Sequence, residues 1–308
     1  MNILITGGSG YLGSALANHF KNSKYNIFIS SRNKNYKYRD HSNINFKFIN
    51  WESDSLINRA TEGIDIVIHA AGMNSKDCEL DPKSAFRCNH IYTKKLLESS
   101  KSNGVKKFLY ISTAHVYKSP LEGFIDETTE ILNSHPYASS HAAGEKEVVS
   151  ANNHNFISNV VRLSNVFGAN EDLSHSSWKL FLNAICLSAI KSKNIKLLDK
   201  KLHYRDFLSI TDFANSIEFL INKMTSKVNI YNLGSGYSYS ILDAANIVRE
   251  EALKNYDLKI TLKANKFEVT GKRLQFNIDR ILKLGLSKKN NLRKEINKLI
   301  LFIFQKNT

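Results

Sequence analysis

What is scarce in this 308-residue chain already excludes several classes of protein. It holds three cysteines, three prolines, three methionines and two tryptophans. Cys78, Cys88 and Cys186 are widely spaced, and no pair has zinc or redox spacing. That argues against a disulfide scaffold or a metal site, and it fits free thiols in a reducing cytoplasm. No run of about 18 apolar residues occurs, so no transmembrane helix is expected. The first strand pattern starts at Ile3, which leaves no room for a signal peptide. The few prolines, Pro82, Pro120 and Pro136, sit where a helix begins or a loop turns. Acidic residues are also short, with 28 Asp and Glu against 43 Lys and Arg, a net charge of +15. The lysines are scattered, and no basic helix or aromatic-basic module stands out. Nucleic acid is therefore not the expected partner, and the basic field suits a phosphorylated small molecule.

What is present is dominated by the first stretch, Ile3-Leu4-Ile5-Thr6-Gly7-Gly8-Ser9-Gly10-Tyr11-Leu12-Gly13. Three apolar residues predict a buried strand, and Ser14–Phe20 continues as a helix. Glycines at 7, 10 and 13 between strand and helix have a specific mechanism. One permits the tight turn, one lets backbone approach a pyrophosphate, and one lets the helix pack close to the sheet. The helix N-terminus then offers unpaired amides and a positive dipole end to the phosphates.

Further strands are expected at 25–29, 45–49, 64–70, 107–112 and 159–163, with helices near 82–103 and 137–152. The repeated alternation predicts a parallel sheet with right-handed crossovers and helices on both faces. Past the second strand, Ser31 stands eighteen positions beyond Gly13, where NAD-binding units carry an acidic residue for the ribose. Arg32 follows and no carboxylate is present. A hydroxyl plus a guanidinium suits a 2′-phosphate, which favours NADP, with NAD as the alternative.

The chain resembles the extended short-chain dehydrogenase/reductases of the NAD-dependent epimerase/dehydratase type, most of which act on nucleotide-activated sugars. The resemblance is carried by the glycine turn, Val67-Ile68-His69-Ala70-Ala71-Gly72, Ile111-Ser112-Thr113-Ala114-His115-Val116-Tyr117 and Pro136-Tyr137-Ala138-Ser139-Ser140. Arg162–Gly168, Tyr204-Arg205-Asp206-Phe207 and Tyr231–Gly236 continue it. It implies an α/β fold, a Rossmann-type doubly wound parallel sheet with a smaller C-terminal substrate-binding lobe. Residues 1–164 plus about 205–234 would form the first part, and about 165–204 plus 235–308 the second. Cofactor contacts are expected from Gly7, Gly10, Tyr11, Leu12, Gly13, Ser31, Arg32, Ala70, Ala71, Gly72, Asn89, Tyr137 and His141.

By the same resemblance Tyr137 exchanges a proton with the sugar oxygen, with Thr113, next to Ser112, holding that oxygen. A tyrosine with an ordinary pKa near 10 is a poor base at neutral pH and needs a cation beside it. The family places a lysine four residues on, one helical turn away. Here that position is His141. Its cationic form is expected to favour the phenolate and to titrate near neutrality. The alternative is a degraded site, in a catalytically weak cofactor-binding sensor or scaffold. Sugar 4,6-dehydratases of the family carry an Asp-Glu pair after the strand-five hydroxyl, and Ala114-His115 stands there instead. Elimination therefore loses weight to epimerisation or keto-sugar reduction, in surface polysaccharide synthesis. His115 and Asn165 are candidates near the sugar, and Arg205 for the substrate diphosphate or else for a salt bridge to Asp206 or Asp212. The apolar end, Leu299–Phe304, is too short to span a membrane and should pack on the body or a partner, which leaves a homodimer open.

Overall fold

The computed structural model describes every residue except 37–42, 171–174, 199–200, 202, 266–271, 288–290 and 308. Part of the stretch 165–204, expected in the substrate-binding lobe, lies outside the described residues. Contacts divide the chain into two compact units. One comprises Met1–Ser119, Thr129–Leu163 and Ala214–Asn232, and the other Pro120–Thr128, Ser164–Phe213 and Leu233–Thr308. Segments 120–128 and 205–213 thus group with the second unit.

The first unit is built on five strands that the sequence pattern predicts, β1 (Asn2–Thr6), β2 (Asn26–Ser31), β3 (Ile44–Phe48), β4 (Ile66–His69) and β5 (Lys107–Thr113). With Ile157–Leu163 and Ile230–Leu233 they form a seven-stranded sheet. Its order runs from Ile230–Leu233 at one edge through Ile157–Leu163, β5, β4, β1 and β2 to β3. The pairings of β1 to β5 with one another, and of β5 with Ile157–Leu163, are all parallel. The near-continuous apolar runs of β1 and β4 follow from burial on both faces, since Ile3, Leu4, Ile5, Val67 and Ile68 are fully enclosed. This is the Rossmann arrangement expected, reversing direction between β1 and β4.

Helix α1 spans Tyr11–Phe20 directly after the glycine turn. The stretch expected as one helix over 82–103 is Pro82–Phe86, a π-helical turn at Arg87–Ile91, and Tyr92–Ser102. The helix Pro136–Ala151 begins with proline at its first turn, where a missing amide costs nothing.

The second unit has its own core. Leu182, Ile185 and Ala189 of the helix Phe181–Ser192 pack with Ala244, Ile247 and Val248 of Ile241–Tyr256 and with Ile296, Leu299, Ile300 and Ile303 of Leu292–Asn307. The apolar C-terminal stretch therefore packs into the body of this unit. Among the described residues no helix is long and apolar enough to cross a membrane.

Candidate functional site

The turn after β1 is shaped by backbone alone. Gly7 has φ +68°, in the left-handed region, and a Cβ on Gly13 would lie 2.2 Å from the Gly7 carbonyl oxygen. Gly10 caps α1 without any side-chain hydrogen bond, and the positive end of this ten-residue helix at the turn suits an anion. Tyr11 and Leu12 open that turn half-buried. At the end of β2, the Ser31 hydroxyl lies 3.2 Å from Ser9 Oγ and accepts from Asn33 N–H at 3.2 Å, while Arg32 is exposed. Ala70 and Ala71 are half-buried and Gly72 exposed, at the C-terminal end of β4. These parts fit a dinucleotide, with pyrophosphate at the turn and the adenosine ribose at the end of β2.

Asn89, expected at the cofactor, is fully enclosed. Its Oδ1 accepts from Met73 N–H at 2.9 Å and its Nδ2 donates to Ser140 Oγ at 3.0 Å. Both ends of the amide are used on protein, so Asn89 acts by fixing the Gly72–Met73 segment.

Tyr137 and His141 lie one turn apart on the helix Pro136–Ala151, with ring centroids 4.7 Å apart, edge to face. Burial pushes the Tyr137 phenol above its ordinary pKa, while the Thr113 hydroxyl facing it pulls the other way. Among the described residues no cation contributes to it. The expectation of a cationic His141 is corrected here. Burial lowers its pKa to about 4, so the imidazole is neutral at pH 7.

Ser112 is also corrected. Its hydroxyl donates to Glu145 Oε1 at 2.5 Å, about two turns beyond Tyr137 on the helix Pro136–Ala151. Glu145 is in turn paired with Arg162, at 2.7 Å from Nη2 and 3.0 Å from Nε. Arg162 lies over the Tyr117 ring, 4.7 Å from its centroid, and the Tyr117 hydroxyl donates to Asn232 Oδ1 at 2.7 Å. His115 is exposed, and its amide donates to Thr113 Oγ1 at 3.1 Å. The neighbouring Ala114 is buried.

Beneath the site runs a polar chain that motif reasoning passes over. Thr6 Oγ1 lies 2.7 Å from His69 Nδ1, and His69 Nε2 lies 2.9 Å from Thr93 Oγ1. Thr93 donates to the Asn89 carbonyl at 3.0 Å. The Tyr110 hydroxyl donates to that same carbonyl at 3.1 Å and lies 2.8 Å from His141 Nδ1. The one hint in sequence is a histidine ending the otherwise apolar strand β4.

In the second unit, Asn165 Nδ2 donates to the Asp206 carbonyl at 3.0 Å, and the Arg205 guanidinium lies 5.0 Å from the Phe181 ring centroid.

The sequence model of the NAD dependent epimerase/dehydratase family matches residues 3–234. The chain belongs to that family. Among its relatives is a trifunctional UDP-glucose 4,6-dehydratase/UDP-4-keto-6-deoxy-D-glucose 3,5-epimerase/UDP-4-keto-L-rhamnose-reductase from Arabidopsis thaliana. It is 30% identical over 264 residues, covering 80% of this chain and 39% of the relative. A dTDP-D-glucose 4,6-dehydratase from Dictyostelium discoideum is 31% identical over 268 residues, covering 79% of this chain and 60% of that protein. The chain thus spans about two fifths and three fifths of these two relatives. In structure it is similar to a UDP-glucose 4-epimerase from Thermotoga maritima determined with UDP-glucose. The TM-score is 0.85 at 20% identity, with 100% of each chain covered, a likeness of fold. The family's members named here are nucleotide-sugar epimerases and dehydratases, and the glycine turn accords with its nicotinamide cofactor.

Proposed function

We propose that this protein is an NADP-dependent reductase of a keto-sugar nucleotide, with Tyr137 as the proton donor. One observation carries the reading: Tyr137 is held protonated, with its pKa raised by burial, and the neighbour where the family has a lysine is a neutral imidazole. Oxidising a sugar hydroxyl needs a base, and a phenol without a cation beside it is a poor one at pH 7. Reducing a carbonyl needs an acid, which this phenol is.

When bound, the reduced nicotinamide supplies the hydride. The residues of the chain do the rest. Thr113 Oγ1 and the Tyr137 hydroxyl hold the carbonyl oxygen. As the carbon gains hydride, the C=O π pair moves to oxygen and takes the Tyr137 proton. The phenolate is then reprotonated from water. Arg32, beside Ser31, supports NADP, because a 2′-phosphate there gains a charge-assisted bond that a ribose hydroxyl cannot make. For the second unit, Arg205 is assigned to the substrate's phosphates and Asn165 to positioning through its bond to the Asp206 backbone.

Elimination is set aside even though two relatives are named dehydratases. Ala114 offers no ionisable group where the family pattern places its Asp, so the acid/base pair is not available. Epimerisation is the second reading, since it uses the same Thr113 and Tyr137 but needs the phenol to act first as a base, and a weak cofactor-binding sensor is the third. A screen of UDP-, GDP- and dTDP-keto-sugars with NADPH and NADH, followed by absorbance, separates them. The reductase oxidises NADPH in preference to NADH, and Tyr137→Phe lowers the rate by about 10²-fold or more while still binding cofactor. Absence of turnover with every keto-sugar, despite cofactor binding, would leave the sensor reading in its place.

A further inference from the structure

We propose that the buried chain from Thr6 to Tyr110 fixes His141 as the Nδ1–H tautomer, so that its Nε2 accepts a hydrogen bond from a ribose hydroxyl of the cofactor. A lysine at this position could only donate. The polarity of the contact is reversed here, and Tyr110 is the positioning residue that reverses it. This inference rests on the reading of the site given above.

The direction of each bond follows from counting protons. A hydroxyl has one proton to give. Thr93 gives its own to the Asn89 carbonyl, so it must accept from His69, whose Nε2 therefore carries hydrogen. His69 Nδ1 is then a bare lone pair and accepts from the Thr6 hydroxyl, which itself accepts from Ala71 N–H at 3.2 Å. Tyr110 likewise gives its proton to the Asn89 carbonyl and must accept from His141 Nδ1–H. The reverse assignment sets the Tyr110 oxygen against the Asn89 carbonyl at 3.1 Å, two acceptors lone pair to lone pair. With Thr93 and Tyr110 both donating to the Asn89 carbonyl, every member of the chain is satisfied.

The packing around the chain is specific to it. Asn89 lies in the π-helical turn Arg87–Ile91, a distortion of the helix that recurs at functional sites. Gly144 lets the helix Pro136–Ala151 close over this point. A Cβ there would lie 2.4 Å from the Asn89 carbonyl oxygen and 3.0 Å from the Tyr110 hydroxyl. On the other side of the His141 ring, Cε1 and Nε2 face Gly72, 3.7 Å and 3.9 Å from where its Cβ would be. Among the described residues no hydrogen bond reaches Nε2. The acceptor is thus presented beside Tyr137 and the exposed Gly72.

Long-range ¹⁵N–¹H NMR of the full chain, with and without saturating NADP, tests this without relying on turnover. The expected spectrum shows His141 with a protonated Nδ1 and a pyridine-like Nε2. The Nε2 resonance should move upfield when NADP binds. Tyr110→Phe should mix the two tautomers and weaken NADP binding about tenfold, the worth of one hydrogen bond. A protonated Nε2 in the free wild type, or a pyridine-like Nε2 that does not move at saturation, overturns the proposal, and both need no variant. Absence of any NADP or NAD binding overturns it together with the enzymatic reading. A moving Nε2 with no keto-sugar turnover overturns the enzymatic reading alone.

Discussion

The two compact units bury different chemistry. In the second unit, helices Phe181–Ser192, Ile241–Tyr256 and Leu292–Asn307 enclose a core of Leu, Ile, Val, Ala and aromatic side chains. Its most enclosed carboxylate among the described residues, Asp206, is tied to loop donors, the Ser164 hydroxyl at 2.7 Å and the Ser235 and Gly236 amides at 2.8 and 2.7 Å. The first unit encloses His69, His141, Asn89, Thr93 and the Glu145–Arg162 pair between its sheet and helices. An apolar core tolerates adjustment, whereas a polar one is stable only when every partner is in place. The first unit therefore gives up tolerance for fixed geometry under Thr113, Tyr137 and His141.

The sharpest way to break this contrast is Glu145→Ala. It strands Arg162, which is buried at 4% side-chain exposure, and should cost roughly 3–5 kcal/mol in urea unfolding. Next comes acid. His69 and His141 are held neutral, with pKa lowered by burial to about 3 and about 4, against an unfolded value near 6.5. The unfolded chain binds more protons below pH 6.5, so stability is full above that pH and is lost as pH falls toward 4. The loss between pH 7 and pH 5 should reach up to about 4 kcal/mol for the two together, seen as a lower urea midpoint at pH 5. An unchanged midpoint would contradict neutral burial. The smallest effect is expected in the second unit, where Ile300→Val trims the apolar core for about 0.5–1.5 kcal/mol. That loss should be equal at pH 7 and pH 5, with cofactor affinity unchanged.

Much of the fold is legible in the sequence because its signals are local. Glycines at 7, 10 and 13 between an apolar strand and a helix need only a dozen neighbouring residues to be interpreted. The pair Tyr137 and His141 is legible too, since four residues make one helical turn. The charge of His141 is not legible, because it depends on burial by residues far away in sequence. The same holds for the chain of Thr6, His69, Asn89, Thr93 and Tyr110, whose members meet only when four segments pack. Tyr110 lies within the run Phe108–Ile111 and reads as a core aromatic, which by burial it is. Ser112 looks catalytic beside Thr113, yet its hydroxyl is taken by Glu145, about two turns beyond Tyr137 on the same helix.

The central claim is that Tyr137 works as a neutral acid beside a neutral imidazole. It is tested most directly by kcat/KM for NADPH-dependent keto-sugar reduction from pH 6 to 9, with Tyr137→Phe as the blank. The predicted profile is flat across that range, because His141 loses its charge near pH 4 and the Tyr137 phenol titrates above its ordinary value. A bend between pH 6 and 8 that His141→Gln abolishes would contradict it.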